Sequence, residues 1–232
     1  MKKILVFTAT YNEKENIKKL ITLIFKHCSN ANVLIIDDNS PDKTAEEIEL
    51  LKNEFKNISL IKRDSKLGLD TAHKFAYKYA LDKGYDYLIT MDADLSHDPA
   101  ELTNFISSLE TYPFVIGSRY APGGKCLMKG RRLLMSKYGN IFIKLVLRIN
   151  CNEFTTSYRG FNLKKLGSFN LDTVKASGYS FFMKTIFEIS KRKIEIKEIP
   201  ITFKDRSQGY SKLPRIEIFR TLLNLFLLIL KK

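Results

Sequence analysis

The stretch LITMDADLSHDP, residues 88–99, places three carboxylates directly after an apolar run. The run 88–91 is typical of a buried strand, and carboxylates that follow such a strand avoid burial by lying at the rim of the sheet. Asp92 and Asp94 are separated only by Ala93, so their oxygens could converge on one hard divalent cation. The stretch alone leaves two interpretations open, a metal site and an ordinary acidic loop.

The same order of apolar strand, polar residues and helix repeats on both sides of this stretch. Segments with helical periodicity separate the apolar runs ILVFTAT, VLIID, ISLIKR, YDYLITM and FVIGSRY. Strands that alternate with helices predict an α/β fold with a mostly parallel sheet and helices on both faces. Ligands bind beyond the carboxyl ends of such strands, where this chain has TATYNE, DDNSPD, DADLSHD and SRYAPGG.

Capping residues predict where two of the helices begin. Asp98 is explained as an N-cap followed by Pro99 at the first helical position. The segment DTAHKFAYKYALDKG predicts a helix with Asp70 as N-cap and Gly84 as C-cap.

The second half of the chain is less regular but contains no repeat or linker, so we expect one domain over residues 1–213. It has a long basic and apolar helical segment, RRLLMSKYGNIFIKLVLRI, and a polar, basic loop, KDRSQGYSKLP. Residues 214–232 predict a C-terminal helix that is apolar on every side near its end. Such a helix packs on the core, on a second subunit or on a membrane surface, and the sequence leaves these alternatives open.

The chain has 232 residues, 44% of them hydrophobic, and a formal net charge of +14. This charge favours an anionic partner, namely nucleic acid, an acidic membrane or a phosphate-bearing substrate, although a solubilising surface also explains it. The three cysteines show neither zinc spacing nor a disulfide pattern, which favours a reducing compartment. No apolar run reaches the roughly 20 residues that a membrane span needs.

Acidic and basic side chains together suit a metal-bound diphosphate, because the cation takes carboxylate and phosphate oxygens while Arg and Lys neutralise the remaining charge. Neither a P-loop nor a dinucleotide glycine fingerprint is present. The candidates at the predicted strand ends and in the late loop are Tyr11, Glu13, Asp37, Asp38, Asp92, Asp94, Arg119, Arg206 and Lys212.

Ordered motifs over nearly the whole chain resemble the family 2 glycosyltransferases with a GT-A fold. Within them, the chain is similar to the polyprenyl-phosphate sugar synthases typified by dolichyl-phosphate mannose synthases. The motifs are TYNEKENI, IIDDNSPDKTA, KLGLDTA, MDADLSHDP, VIGSRYAPGG, RRLLMS, GYSF and KDRSQGYSK. The resemblance implies a nucleotide-sugar donor such as GDP-mannose, Mg²⁺ or Mn²⁺, and inverting transfer of a mannose- or glucose-like sugar to a polyprenyl phosphate or another glycolipid.

The resemblance also implies roles for residues at matching positions. Asp94 and Arg119 would be catalytic, and Arg132 and Ser136 would receive the acceptor phosphate. The metal would be held by Asp92, Asp94 and Ser96. Donor-binding residues would be Ala9, Tyr11, Glu13, Ile36, Asp38, Asp92, Ala93, Asp94, Arg119, Arg206 and Lys212.

This chain departs from the family pattern at several positions. Ala9 stands where proline is usual, and Asp70 replaces a glycine. Phe182 and Lys184 replace the usual Gln and Glu after GYSF, which bears on the sugar and the acceptor more than on the fold.

Rival classes remain open from the residues alone. A phosphoryl-receiver module, an aspartyl phosphatase and a basic nucleic-acid binder each explain part of the pattern. Within the transferases, the alternative is transfer to a hydroxyl of a surface polysaccharide or glycolipid, which needs a general base. The transferase interpretation predicts no nucleic-acid partner and a peripheral location on the cytoplasmic face of a membrane. It leaves open whether the chain forms homo-oligomers.

Overall fold

The computed structural model describes residues 2–204 and Leu225. Its main sheet has seven strands in the order β3-β2-β1-β4-β7-β5-β8, and a second sheet pairs β6 with β9. The strands are β1 (Ile4–Thr10), β2 (Asn32–Asp37), β3 (Ile58–Lys62), β4 (Tyr87–Thr90), β5 (Phe114–Ser118), β6 (Lys125–Cys126), β7 (Arg159–Asn162), β8 (Ile196–Pro200) and β9 (Thr202–Phe203).

Six strands of the main sheet run in one direction, and β7 lies antiparallel between β4 and β5. The pairs β1–β2, β1–β4, β2–β3 and β5–β8 are all parallel. The predicted mostly parallel sheet is therefore confirmed, and the carboxyl ends of its parallel strands meet at one edge.

Within residues 2–204, six α-helices connect or cover the strands. Their bounds are α1 (Lys14–His27), α2 (Thr44–Glu54), α3 (Leu69–Asp82), α4 (Leu102–Thr111), α5 (Gly130–Leu147) and α6 (Tyr179–Lys191). A 3₁₀ turn at Pro99–Glu101 precedes α4, and the Asp98 side chain accepts the backbone N–H of Ala100 there. The predicted cap at Asp98 is confirmed.

Alternating residues of the central strands supply two apolar layers, one on each face of the sheet, as the period of a β-strand requires. Leu5 and Phe7 of β1 pack in the layer that includes residues of α3, α5 and α6. Ile4 and Val6 pack in the opposite layer with residues of α1, α2 and α4. Helices on both faces bury the inner strands of the sheet, whereas the edge strands β3 and β8 are partly exposed.

The predicted cap of α3 is wrong by two residues. The helix begins at Leu69, and its N-cap is Gly68, whose φ of 95° suits glycine. The Asp70 carboxylate instead accepts the backbone N–H of Gly178 at 3.3 Å. Gly84 has a φ of 64° and lies one residue beyond the C-cap Lys83. The aspartate thus connects the start of α3 to the residue that precedes α6.

The predicted boundary at residue 213 and the predicted helix 214–232 lie outside the described residues, apart from Leu225. Leu225 is helical and is buried in the layer that contains Ile143 and Leu147 of α5. Within residues 2–204 and Leu225, no helix combines the length and the apolar character that a membrane span requires.

Candidate active site

The ends of β2, β1 and β4 are adjacent, and they bring the acidic loops of the sequence to one edge. Thr10 is opposite Asp37 in the β1–β2 register, and Phe7 is opposite Thr90 in the β1–β4 register. The backbone N–H of Asp38 donates to Thr10 O at 3.0 Å. Strand order and register therefore place the residues after three strands around one crevice.

Asp37 organises the turn after β2. Its carboxylate accepts hydrogen bonds from Thr10 Oγ1 at 2.8 Å, from Ser40 Oγ and from the backbone N–H of Ser40 at 2.9 Å. The side chain is buried and these donors satisfy both of its oxygens. Asp37 thus holds Asp38 and the following loop in place.

Asp38 is paired with Arg63, a residue that our sequence analysis did not single out. Arg63 Nη1 lies 3.1 Å from Asp38 Oδ1 and also donates to Thr71 Oγ1 at 2.9 Å. Arg63 is the first residue after β3, so the strand-end pattern that identified the other residues would also have found it. The pair orients the Asp38 carboxylate at the crevice.

The residues after β1 form the next wall of the crevice. Lys66 Nζ lies 4.1 Å from the ring centroid of Tyr11. Glu13 donates its backbone N–H to Thr44 Oγ1 at 3.0 Å, and its carboxylate accepts from Asn16 at 2.8 Å. Their donor-binding roles stay predictions.

Two other predicted donor residues have small or buried side chains. Ala9 is half-buried near the end of β1. Ile36 is completely buried in the core, so any contact with a donor would be made by its backbone.

The loop after β4 places the carboxylates of Asp92 and Asp94 in different environments. The Asp92 side chain is 35% exposed, and Ser157 Oγ donates to its Oδ1. Asp94 is only 4% exposed, and its Oδ1 accepts the backbone N–H of Ser96 at 3.0 Å. Leu95, which lies between Asp94 and Ser96, has a left-handed φ of 62°. This conformation is rare for a bulky residue and turns the chain sharply.

His97 is a neutral support for this loop. Its burial lowers its pKa, with the Asp92 and Asp94 charges opposing the shift. His97 Nδ1 accepts the backbone N–H of Asp92 at 3.0 Å. That bond assigns the proton to Nε2, which then donates to Thr156 Oγ1 at 3.2 Å. The ring thus connects Asp92 to the segment before β7.

The Ser96 hydroxyl is the predicted third metal ligand, and it is buried. Among the described residues, Ser96 Oγ makes no hydrogen bond. A buried polar atom of this kind costs free energy unless a ligand satisfies it. Ala93 is buried between the two aspartates. In the described part of the chain, no cluster of three or more His, Cys, Asp or Glu residues forms a metal site from protein side chains alone.

Arg119 follows β5 and forms a buried ion pair that the sequence did not predict. Its Nε and Nη2 each donate a 2.7 Å hydrogen bond to one oxygen of Glu153, and Nη2 also donates to Thr155 Oγ1 at 2.7 Å. Burial alone would lower the pKa of Arg119, but the Glu153 charge overrides this and raises it. The Glu153 pKa is correspondingly lowered by Arg119 against the effect of burial.

A glycine turn allows the chain to pass close to Arg119. Gly123 has a φ of 88°, and Gly124 donates its backbone N–H to Ala121 O at 2.8 Å, as in a type II turn with Pro122 at its second position. A Cβ on Gly124 would lie 2.5 Å from the backbone oxygen of Ser118. The two glycines of the motif APGG are therefore required for this close approach.

The predicted acceptor residues lie on α5, and one of them is held by Tyr120. Burial raises the pKa of Tyr120 to about 12, so the hydroxyl keeps its proton and donates to Ser136 Oγ at 2.7 Å. Arg132 is exposed at the first turn of the same helix. The Tyr120 hydrogen bond joins the loop after β5 to the predicted acceptor helix.

The loop 153–157 connects these separate parts, and sequence analysis missed it. It provides Glu153 to Arg119 and Ser157 to Asp92. Arg159, fully buried at the start of β7, donates to the backbone oxygens of Thr156 and Phe154. Burial lowers the Arg159 pKa to about 9, so the guanidinium remains charged at neutral pH.

The predicted donor residues Arg206 and Lys212 lie outside the described residues. The last described residue before them, Lys204, donates its backbone N–H to Ser96 O at 3.2 Å. The Lys204 side chain also contacts Asp98 at 3.1 Å.

The comparison with known families agrees with this architecture. The sequence profile described as Glycosyl transferase family 2 matches residues 5–169. These residues include the strands β1 to β7, the acidic loops and helix α5. The chain belongs to glycosyltransferase family 2, and the phosphoryl-receiver, phosphatase and nucleic-acid classes are set aside.

Curated relatives match over most of their own length. An undecaprenyl-phosphate mannosyltransferase from Micrococcus luteus is 32% identical over 212 residues, which cover 91% of this chain and 87% of the relative. A polyprenol monophosphomannose synthase from Mycolicibacterium smegmatis is 33% identical over 214 residues, which cover 90% and 80%.

Solved structures share the fold at lower identity. A glucosyl-3-phosphoglycerate synthase from Mycobacterium tuberculosis, in complex with Mn²⁺, uridine diphosphate and its product, has a TM-score of 0.68 at 14% identity, covering 97% of this chain and 79% of that one. A mannosyltransferase from Pyrobaculum calidifontis, in complex with GDP-mannose and Mn²⁺, has a TM-score of 0.62 at 18% identity, covering 99% and 64%.

Proposed function

We propose that this glycosyltransferase transfers mannose from a nucleotide diphosphate sugar to a polyprenyl phosphate, with inversion at the anomeric carbon. The observation that carries the proposal is the charge of the acceptor side, because residues 111–152 contain no Asp or Glu. A phosphate acceptor arrives ionised, since the second pKa of a phosphate monoester is about 6, and therefore needs no protein base. The two curated mannosyltransferases support the sugar and the acceptor class.

The carboxylates nearest in sequence to α5 and within α6 are already engaged. Glu153 is buried against Arg119, and Glu188 pairs with Arg192 at 2.7 Å. Transfer to a sugar hydroxyl needs a general base, and the ion pair with Arg119 lowers the pKa of Glu153 and makes that carboxylate a weak base. This observation favours the phosphate acceptor over a hydroxyl acceptor.

The residues present fit a divalent cation, Mg²⁺ or Mn²⁺. Asp92 and Asp94 supply carboxylate oxygens, and the buried hydroxyl of Ser96 lacks a hydrogen bond among the described residues. The two structural relatives with bound Mn²⁺ support a divalent cation in this fold. Such a cation would neutralise charge that develops on a departing diphosphate.

The protein groups then have separate tasks. We assign the nucleoside to the crevice beside Tyr11 and Asp38, and the acceptor phosphate to Arg132 and Ser136. Tyr120 keeps the Ser136 oxygen oriented. The loop 153–157 contacts both Asp92 and Arg119, so one segment fixes these two predicted donor-site residues relative to each other. Because a polyprenyl phosphate resides in a bilayer, the proposal includes action at a membrane surface.

The test is a transfer assay with a panel of nucleotide sugars, each supplied with either a polyprenyl phosphate or a saccharide acceptor. We expect lipid-linked mannose, loss of activity with excess chelator, and recovery with Mn²⁺ or Mg²⁺. Efficient transfer to saccharide hydroxyls, with none to any polyprenyl phosphate, would refute the proposal.

A further inference from the structure

Arg159 has a fully buried guanidinium that is not hydrogen-bonded to any carboxylate of the described residues. Its Nε donates to the backbone oxygen of Thr156 at 2.9 Å, and its Nη2 donates to that of Phe154 at 3.2 Å. Nη1 makes no hydrogen bond within the described part of the chain. A buried charge costs free energy unless neighbouring groups offset its lost hydration, so a further interaction has to compensate Arg159.

Two aromatic rings provide that compensation. The guanidinium carbon of Arg159 lies 4.8 Å from the ring centroid of Phe182 on α6 and 5.9 Å from that of Phe114 on β5. Cations are attracted to aromatic faces within about 6 Å, most strongly where water is excluded. Glu153 also attracts Arg159, but the hydrogen bonds of its carboxylate go to Arg119 and the residues that follow it. Phe182 is the closer ring and therefore makes the larger contribution of the two.

The charge of Arg159 fixes the backbone of the loop 153–157. The two carbonyls that it binds, those of Phe154 and Thr156, lie on either side of Thr155. Hydrogen bonds from a charged donor are stronger than those between neutral groups. The guanidinium therefore restrains the middle of this loop.

The loop passes this restraint on to two predicted donor-site residues. Its first residue, Glu153, binds Arg119, and its last residue, Ser157, donates to Asp92 Oδ1. A ring on α6 is thus connected through one guanidinium to both sides of the site.

Phe182 stands at a position where this chain departs from the family pattern, which usually has Gln there. A glutamine would offer Nη1 of Arg159 an amide oxygen, whereas phenylalanine offers the guanidinium the face of a ring. The departure therefore changes the kind of contact and leaves the charge supported.

We propose that Phe182 is a positioning residue for sugar transfer and that it acts through Arg159. The ring restrains the guanidinium, and the guanidinium fixes the loop 153–157. That loop in turn orients Asp92 and Arg119. The inference rests on the proposed function for the roles of these last two residues.

Leucine substitutions separate a ring contact from simple core packing. Phe182→Leu keeps an apolar side chain but removes the ring beside Arg159. Phe169→Leu is the matched control, because Phe169 is also buried and its ring centroid lies 5.5 Å from the guanidinium carbon of Arg192. Arg192 bonds to Glu188 within α6 and does not contact the loop. Both substitutions leave space in the core, so both should lower stability, but only Phe182→Leu should loosen the loop.

Amide hydrogen exchange of the loop is a measurement that needs neither metal nor substrate. The backbone N–H groups of Thr155 and Thr156 donate to Glu153 Oε1 at 3.0 and 3.3 Å, so opening of the loop exposes them. We expect exchange about 3- to 10-fold faster in Phe182→Leu, the factor that corresponds to loss of a buried cation–π contact. Mn²⁺ affinity and kcat should fall by a similar factor. All three should stay near the parent values in Phe169→Leu.

Phe182→Gln makes the test more specific, because the two explanations predict opposite orders. A buried amide suits an apolar core less well than leucine does. If the position serves Arg159, however, the amide oxygen can accept from Nη1 and restore part of the restraint. We therefore expect slower loop exchange and tighter Mn²⁺ binding in Phe182→Gln than in Phe182→Leu. Circular dichroism establishes folding, and Phe182→Met, which fills more of the same space, replaces Phe182→Leu if that variant is unstable.

Equal loop exchange and equal Mn²⁺ affinity in Phe182→Leu and Phe169→Leu would overturn the inference and leave Phe182 as a core residue only. Faster exchange in Phe182→Leu with unchanged Mn²⁺ affinity and kcat would also overturn it, since the loop would then not orient the site. Faster exchange and lower kcat in Phe182→Leu, in a protein that transfers only to saccharide hydroxyls, would support the inference and refute the proposed function instead.

Discussion

Arg119 and Glu153 form a bidentate ion pair in which both hydrogen bonds measure 2.7 Å and the carboxylate is fully buried. Glu153→Gln would leave the guanidinium buried without its charge partner. Breaking one side of such a pair costs about 3–5 kcal/mol. We expect a loss of this size in the free energy of unfolding, measured with urea, and a fall in transfer activity because Arg119 moves.

The control for this prediction is Asp82→Asn, which removes the exposed pair with Lys78 on α3. Exposed pairs contribute at most about 1 kcal/mol, so this variant should remain close to the parent protein. If Glu153→Gln were as stable and as active as Asp82→Asn, the pair would have no role in holding Arg119.

The Asp94 carboxylate is the second target. Asp94→Asn should lower transfer by roughly a hundredfold or more, because a neutral amide binds a divalent cation poorly and stabilises developing charge less. Asp94 is buried and does not lie at an exposed rim. The side-chain oxygen of the introduced asparagine can still accept the backbone N–H of Ser96, so the fold should survive. Electron paramagnetic resonance of Mn²⁺ should show weakened binding; unchanged Mn²⁺ affinity together with retained activity would exclude the metal role.

The hydrogen bond from Ser157 to Asp92 is expected to tune the same site. Ser157→Ala removes the donor that orients Asp92 Oδ1. Groups that orient a metal ligand typically contribute about 10- to 100-fold in affinity. We expect a Mn²⁺ affinity lowered by about that factor, and Ser157→Thr should restore it if the hydroxyl reaches the same carboxylate oxygen. Equal affinities for Ser157→Ala and the parent protein would limit Ser157 to a structural role.

His73 gives the stability a defined pH dependence. His73 is buried beside the aromatic rings of Phe7 and Phe182, whose centroids lie 5.1 Å away, and burial lowers its pKa to about 3. The unfolded chain regains a histidine pKa near about 6.5 and therefore binds more protons at acidic pH. The contribution of neutral His73 to the free energy of unfolding is fully present above about pH 6.5. It should decrease towards pH 3 by up to about 1.4 kcal/mol per pH unit.

The check is urea unfolding between pH 7 and pH 4 for the parent protein and for His73→Phe. The variant should lose stability less steeply with falling pH, even if repacking changes its stability at pH 7. Identical slopes for the two proteins would show that His73 is not buried in its neutral form.

Local sequence patterns predicted the ends of the strands, because hydrophobic periodicity identifies each strand. In a parallel α/β sheet, the residues that follow the strands then lie together at one edge. Asp38, Tyr11 and Asp92 could be located in this way. The partners that hold them could not, since Ser157 is 65 residues from Asp92 and Glu153 is 34 residues from Arg119. Those contacts depend on β7 entering the sheet antiparallel between β4 and β5, and a pattern within one segment does not encode that pairing.

Helix α5 illustrates the same limit. Its composition showed an apolar and basic helix, but composition does not say which apolar side the sheet covers. Only the packing of Ile143 and Leu147 against the core identifies the other side as the exposed one.

Arg131 and Arg132 are adjacent on α5 and should differ in their contribution to acceptor use. Successive residues of a helix project about 100° apart, so the two guanidinium groups leave the helix in different directions. Ser136 lies four residues after Arg132 and on the same side, whereas Arg131 projects towards the side of α5 that exposes Leu134 and Tyr138. One lipid phosphate can therefore receive a bidentate guanidinium from Arg132 and the hydroxyl that Tyr120 orients, but nothing equivalent from Arg131.

Arg132→Ala should raise the KM for polyprenyl phosphate by roughly 10- to 100-fold, the worth of a charge-assisted hydrogen bond, with the KM for the nucleotide sugar unchanged. Arg131→Ala should change either constant by less than about threefold when the acceptor is dispersed in detergent. Tyr120→Phe should raise the acceptor KM by an intermediate factor, because Ser136 keeps its hydroxyl but loses the hydrogen bond that orients it. Equal effects of Arg131→Ala and Arg132→Ala would mean that both arginines act only as general positive charge, and the acceptor phosphate would have to be assigned elsewhere.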